Sequence, residues 1–247
     1  MKTRPNPFRA PRVVIASAAQ GRAILRGVSL LFRANKLLAF CVFVGALALG
    51  LLIFPHDRSL LETVHFWKGG RSDEARQVAW YLGTWGDYPT YNLPLALLIW
   101  IYGAATRSSA WRRIAIICFL GATFAGLFDD FFRLTLGRAR PDANLPDRFY
   151  GIAYAFSGGF QSFPSGHAAA VFGTAAALIV TDLPLGLLTT LFALAVVWAR
   201  LELYRHYPSD VAVGSVIGIY FGLLVGLGAK LRRTLPTPPL DSRAGSH

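Results

Sequence analysis

Six apolar stretches recur along this chain and constrain its fold more than any other feature. They are Leu37–Phe54, which ends at Pro55, then Tyr91–Ala105, Ile114–Phe132, Gly166–Thr181, Pro184–Ala199 and Val211–Ala229. Each reads as a membrane-spanning helix. Several lie at the short end of the roughly 17–25 residues that a span needs, so tilt or support from neighbouring helices is required. Charged residues make up only 15 % of the chain and hydrophobic ones 54 %, whereas a soluble domain carries about 25 % charged residues. That balance excludes an ordinary cytosolic enzyme, and the aromatic and aliphatic content excludes a disordered chain. The expected fold is an all-α bundle of six transmembrane helices over residues 37–233. A basic tail with an amphipathic interfacial segment (1–36) precedes it, and a disordered Pro-rich tail (234–247) follows it.

The formal net charge of +12 would suggest nucleic-acid binding in a soluble protein. Here it is read against topology, and no nucleic-acid partner is expected. Arg22, Arg26, Arg33 and Lys36 precede the first stretch, Arg107, Arg112 and Arg113 link the second and third, and Lys230, Arg232 and Arg233 follow the sixth. Six spans place these three segments on one side, which the positive-inside rule makes cytoplasmic. The chain is therefore expected to be a multi-pass protein of the inner membrane. The first stretch reads as an anchor rather than a signal peptide, because its basic flank is too long and no small-residue cleavage site follows. The external loop from 55 to 90 is balanced, with Arg58, Lys68, Arg71 and Arg76 against Asp57, Glu62, Asp73, Glu74 and Asp87. By contrast, Arg133, Arg138, Arg140 and Arg148 outnumber Asp142 and Asp147 in the next external connection. Positive charge retained on that side suggests an anion site.

Other features have structural readings. Val13–Lys36 puts Arg22, Arg26, Ser29 and Arg33 on one helical face and Ile24, Leu25, Val28, Leu31 and Phe32 on the other, as a helix lying on the inner leaflet would. Gly214, Gly218, Gly222 and Gly226 recur every four residues, a stripe that lets another helix of the bundle approach closely. Cys41 and Cys118 lie within apolar stretches and read as buried small hydrophobes. His56 and His65 read as surface residues, and Trp80, Trp85 and Tyr88 as an interfacial aromatic belt or as the lining of a substrate entry.

Three polar clusters sit at the outer ends of the spans. The first runs from Arg133 to Arg140-Pro141, its arginines seven residues apart and so on one helical face if the helix continues that far. The second, Pro164-Ser165-Gly166-His167, opens the fourth span and offers free backbone N–H groups to an anion. The third runs from Arg200 through His206 to Asp210. Arginine forks match phosphate oxygens, one histidine can attack phosphorus, and a second can protonate the leaving oxygen. Asp129 and Asp130 precede Arg133 closely enough to pair with it or with Arg138. Taken singly, His206 reads as an interfacial histidine, Asp210 as a helix cap and Arg200 as a snorkelling side chain.

In order and spacing, Arg133-x6-Arg140-Pro141, Pro164-Ser165-Gly166-His167 and Arg200-x5-His206-x3-Asp210 resemble the type-2 phosphatidic acid phosphatase superfamily. Its usual signatures are Lys-x6-Arg-Pro, Pro-Ser-Gly-His and Ser-Arg-x5-His-x3-Asp. Arg133 replaces the usual Lys and Ala199 the usual Ser. The resemblance implies that His206 attacks phosphorus while Asp210 holds its other ring nitrogen. It implies that His167 serves as acid and then base, and that Arg133, Arg140, Arg200, Ser165 and the Gly166 amide bind the phosphoryl group. It also implies a metal-independent phosphatase with no cofactor, acting at the extracytoplasmic face on a membrane lipid phosphate or pyrophosphate. Undecaprenyl pyrophosphate, phosphatidylglycerol phosphate, phosphatidate and lipid A phosphates are all admissible. A lipid-to-lipid phosphotransferase and a silent lipid-binding or transport protein are the alternatives. His206 neutral and His167 protonated in one complex implies a bell-shaped pH profile. The aromatic loop Asp142–Phe163 is expected to fold over the membrane surface and guide a lipid tail.

Overall fold

The computed structural model describes residues 12–66 and 73–234. The expected disordered tail beyond 234, the first eleven residues, and Lys68 and Arg71 lie outside the described residues. Ten helices occur among the described residues: α1 (Arg12–Ala34), α2 (Lys36–Ile53), α3 (Asp57–Phe66), α4 (Asp73–Trp85), α5 (Leu93–Ala105), α6 (Ser109–Leu136), α7 (Ile152–Ala155), α8 (Gly166–Thr181), α9 (Leu183–Glu202) and α10 (Pro208–Thr234). The protein is all-helical as expected, and no strand occurs among the described residues beyond one isolated bridge, Arg138 with Phe149.

Four segments are long and apolar enough to cross a bilayer: Lys36–Val64, Ser109–Leu136, Leu183–Glu202 and Pro208–Leu231. The remaining two expected spans, Thr90–Ala105 and Gly166–Thr181, are shorter apolar helices. The short α8 is the centre of the bundle. Ala168, Ala169, Ala170, Val171, Gly173, Thr174, Ala175, Ala176, Ala177 and Leu178 are all buried, so neighbouring helices rather than lipid surround it. Its composition explains that position, because Ala and Gly let backbones approach closely. A Cβ on Gly214, Gly218, Gly222 or Gly226 would lie 2.4–2.8 Å from the carbonyl oxygens of Ser165, Ala169, Gly173 and Ala177 in turn. The glycine stripe of α10 is therefore a packing face against α8. Gly121 and Gly173 make the same kind of approach between α6 and α8.

Local signals set the ends. Ser108 caps α6 by accepting from Trp111 N–H, and Gly137 ends it in the left-handed conformation at φ 60°. Asp182 closes α8 and caps α9, accepting from Leu185 N–H at 3.3 Å.

Three expectations change. Helix α1 packs on the bundle as well as being amphipathic: a Cβ on Gly27 would lie 2.3 Å from the Gly228 oxygen of α10. Ile24 joins Ile117, Ala177, Val225 and Ala229 in the core, while Arg22, Arg26 and Arg33 stay exposed. Cys118 is buried, but Cys41 faces outward from α2, where lipid rather than protein would cover it. The external connection before α5 is no plain loop. It contains α3 and α4, and α4 packs along α9, with Ala79 fully buried.

Candidate active site

Helix packing brings the three polar clusters to one end of the bundle. Ser165 caps α8, accepting from Ala168 N–H at 3.5 Å, and donates its own N–H to the Asp210 carbonyl at 3.1 Å. The Gly214–Ser165 approach fixes the start of α10 against the start of α8. His167 and His206, one from each side of that crossing, have ring centroids 6.2 Å apart. From α6, Arg133 reaches the same place: a Cβ on Gly166 would stand 3.7 Å from its Nη1. A cavity of about 460 Å³ is lined by Arg133, Arg140, Arg200, Gly166 and His167, together with Asp87, Asp130 and Arg205. Five of the eight residues singled out from the sequence thus line one cavity. Ser165, His206 and Asp210 are buried beside it.

His206 is 1 % exposed. Its Nδ1 lies 2.7 Å from the Ser162 carbonyl. A carbonyl only accepts, so Nδ1 carries the proton and Nε2 keeps its lone pair. Nε2 has no hydrogen-bond partner among the described residues. Burial, then the Arg200 and Arg140 charges, hold His206 well below the ordinary histidine value. Asp210 does not hold the ring directly. Its Oδ2 is 3.8 Å from Nδ1 and instead accepts from Ser162 Oγ at 2.6 Å and Tyr207 N–H at 2.7 Å. The competing donors draw the carboxylate to the backbone on either side, so it steadies His206 through Ser162 and the 206–210 turn.

Arg140 is nearly buried, with Nε and Nη2 at 3.4 and 3.3 Å from the Gln161 carbonyl. Burial first, then the Arg205 charge, lowers it to about 10. Arg133 pairs with Asp130, one turn earlier, as expected. Asp129 does not pair: it is fully buried, neither oxygen has a partner, and Oδ2 faces Gly166. The burial of Arg200 leaves Nε unpaired.

Arg138 overturns part of the charge argument. It faces no anion site, because its side chain is fully buried among three carboxylates. Nη2 donates to Asp57 at 2.7 Å, Nε and Nη2 to Asp147 at 2.9 and 2.8 Å, and Nη1 to Asp210 and to Ser209 Oγ. Phe54 and Tyr207 lie 4.5 and 4.2 Å from its guanidinium carbon. Asp57 in turn accepts from Ser209 N–H at 2.7 Å and from Ser209 Oγ. Local spacing gave no sign of this hub, since its members come from three separate segments: α3, the α6–α7 connection and α10.

The aromatic loop is divided. Phe149 stacks on Phe54 and meets Phe163 edge-on; Phe163 is buried, whereas Phe149 keeps an exposed edge. Tyr150, Tyr154 and Phe160 form a cluster of their own, and Ile152 and Phe156 are left exposed. A second polar cavity, about 470 Å³, shares Asp87, His167, Arg200 and Arg205 with the first and extends past Arg76, Trp80, Thr84 and Thr90 of the α4 region. Trp80 thus lines a site as well as facing outward. No group of His, Cys, Asp and Glu suited to holding a metal ion occurs among the described residues.

Comparison with known proteins finds lipid A phosphatases among those similar to this chain. The lipid A 1-phosphatase of Rhizobium johnstonii is 34 % identical over 121 residues, 46 % of this chain and 47 % of that protein. The lipid A 1-phosphatase of Rhizobium etli is 29 % identical over 209 residues, 76 % and 83 % respectively. The lipid A 4'-phosphatase of Bacteroides thetaiotaomicron is 35 % identical over 130 residues, 48 % and 57 %. The match thus spans about half the length of the first and third of these relatives. No solved structure matches the chain. Residues 113–232, which carry all three polar clusters, match the model of the PAP2 superfamily.

Proposed function

We propose that this chain hydrolyses a membrane lipid phosphate without a metal, through a phosphohistidine on His206. The observation that carries this reading is the unpaired Nε2 of a neutral, buried His206, beside His167 and three arginines at the wall of one cavity. His206 Nε2 attacks phosphorus, and the leaving oxygen takes a proton from His167. His167 then removes a proton from the water that splits the N–P bond. Arg133, Arg140, Arg200, Ser165 and the Gly166 N–H hold the equatorial oxygens, where charge develops in the transition state. The basic segments at 22–36, 107–113 and 230–233 support a six-span reading with this end of the bundle at the extracytoplasmic face of the inner membrane.

Among lipid phosphates, a phosphorylated glycolipid such as lipid A is favoured. Both kinds of relative are lipid A phosphatases, and the polar extension of the site past Trp80, Thr84 and Thr90 offers hydroxyl partners and an aromatic face to a sugar.

Phosphate release by purified protein in mixed micelles, with chelator present, tests the proposal. The panel is lipid A, undecaprenyl pyrophosphate, phosphatidylglycerol phosphate and phosphatidate, with His206→Ala as control. Release by wild type alone is expected, fastest from lipid A. No release from any of the four by folded protein overturns the phosphatase reading, and faster release from a lipid without a sugar overturns the substrate.

A further inference from the structure

We propose that Asp87 is the positioning residue for His167, an inference that rests on the phosphatase reading above. Asp87 Oδ1 lies 3.5 Å from His167 Nε2, a long contact of the kind that tightens when substrate binds. Its placement is built rather than incidental. The carboxylate accepts from Tyr88 N–H at 3.0 Å, which turns the chain into the short π-helical segment Tyr88–Asn92. Gly86 presses on α9, where a Cβ would lie 2.5 Å from Val196 Cγ1, and Gly83 faces Arg200 Nη1 at 3.1 Å. Beyond it, Tyr88 OH is bonded to Thr123 of α6 at 2.7 Å, and Asn92 accepts from Thr174 of α8 at 2.7 Å. The corner that bears Asp87 is thus fastened to α6, α8 and α9, the helices that carry Arg133, His167 and Arg200.

Charge gives the corner its purpose. Arg133 of α6, Arg140 of the following loop, Arg200 of α9 and His206 of the 203–207 turn surround His167 with basic groups, while on α6 Asp130 pairs with Arg133 and Asp129 faces Gly166. Among the described residues, Asp87 is the carboxylate within ion-pair range. In the first step, His206 Nε2 forms the N–P bond with its lone pair as the P–O bond breaks. The electron pair goes to the leaving oxygen, which takes the imidazolium proton of His167. In the second step, water oxygen attacks phosphorus, His167 accepts the water proton, and the N–P pair returns to His206. Asp87 fixes the ring of His167 and balances its charge whenever it holds the extra proton.

Proton donation matters for an alkoxide leaving group and hardly at all for p-nitrophenolate, whereas the collapse of a merely structural contact would slow both substrates. The test therefore compares Asp87→Asn with wild type, full length in mixed micelles, on the lipid phosphate that wild type cleaves fastest and on p-nitrophenyl phosphate. The parameter is kcat/KM, which reports the first step. A loss of roughly 10–100-fold on the lipid with less than about a 3-fold loss on p-nitrophenyl phosphate is expected. His167→Ala should show the same discrimination more strongly, and His206→Ala should abolish both activities. Equal losses on the two substrates, or none on either, overturn the role of Asp87. If wild type cleaves neither, the phosphatase reading itself falls and takes this role with it. Normal wild-type turnover with non-discriminating Asp87→Asn sinks the positioning role alone.

Discussion

Arg138 and His206 show how a buried polar residue can be held by what surrounds it. Arg138 offers a planar fork of donors, and Asp57, Asp147 and Asp210 take them from three directions. Burial opposes its charge, but Asp210 first, then Asp147 and Asp57, outweigh that and raise it. Because Asp57 opens α3 and Asp210 opens α10, the hub clamps the ends of two helices to the loop that carries Arg140. Removing one partner of a buried ion pair costs about 3–5 kcal/mol. Arg138→Met should therefore lower the thermal midpoint in detergent steeply, and adding Asp57→Asn should restore part of it. An unchanged midpoint would mean that the clamp carries no stability. Lysine should not replace it, since a point charge cannot satisfy three carboxylates at once. For His206 the pH sign follows from its lowered value. The folded protein stays neutral there while an unfolded chain protonates near pH 6.5, at the ordinary value. Below that pH the unfolded state binds more protons, so stability falls as pH falls. The same neutrality suits the role of nucleophile proposed for His206: the acidic limb of kcat/KM should lie below the ordinary histidine value, and a limb at or above it would remove His206 from that role. At this scale the sequence revealed the residues that share a motif, because spacing along one helix or turn is local. Asp87, Ser162 and Asp57 stayed hidden, since their partners lie 80, 44 and 152 residues away.

Two glycines that look alike in the sequence have opposite meanings at the level of helices. Gly218 of α10 meets the Ala169 carbonyl of α8, where a Cβ would come within 2.5 Å, while Gly45 of α2 has nothing within 4 Å. Gly218→Val should drive α10 away from α8, costing about 1–3 kcal/mol as overpacking does. It should also reduce activity, because that contact line sets the distance between His167 and His206. Gly45→Ala should be neutral or slightly stabilising, as alanine favours helix. Thermal midpoints and phosphate release on the pair would check this, and equal behaviour of the two would contradict the packing account. The four-residue period announced that α10 admits a close neighbour, and packing within the bundle was the expected outcome. Which helix would fill the stripe was not legible, for Ala- and Gly-rich α8 and α6 offer similar surfaces.

The bundle has a basic end and an end that holds the charged cavity. The α5–α6 junction and the end of α10 lie together, with Arg113 donating to the Ala229 carbonyl, and the charged cavity lies where α6 and α9 end and α8 and α10 begin. The apolar stretches were legible because lipid demands long uninterrupted runs. The cap formed by α3 and α4 was not, since a helix resting half on protein and half at a water boundary leaves only a mixed pattern. Nor was the docking of α1. Its apolar face shows that something covers it without telling lipid from protein, and Gly27 against Gly228 decides for protein. The proposed orientation rests on the distribution of Lys and Arg, and it can be measured. With Cys41 and Cys118 replaced by Ala, single cysteines at the exposed positions Phe156, beside the site, and Thr106, at the basic end, report which end a membrane-impermeant maleimide reaches. Phe156→Cys should react in intact spheroplasts, and Thr106→Cys only after the membrane is opened. The reverse pattern would put the cavity in the cytoplasm. The enzyme would then meet lipid phosphates on the leaflet where they are made rather than after export, and the arginine excess around the cavity would no longer oppose the topology rule but obey it.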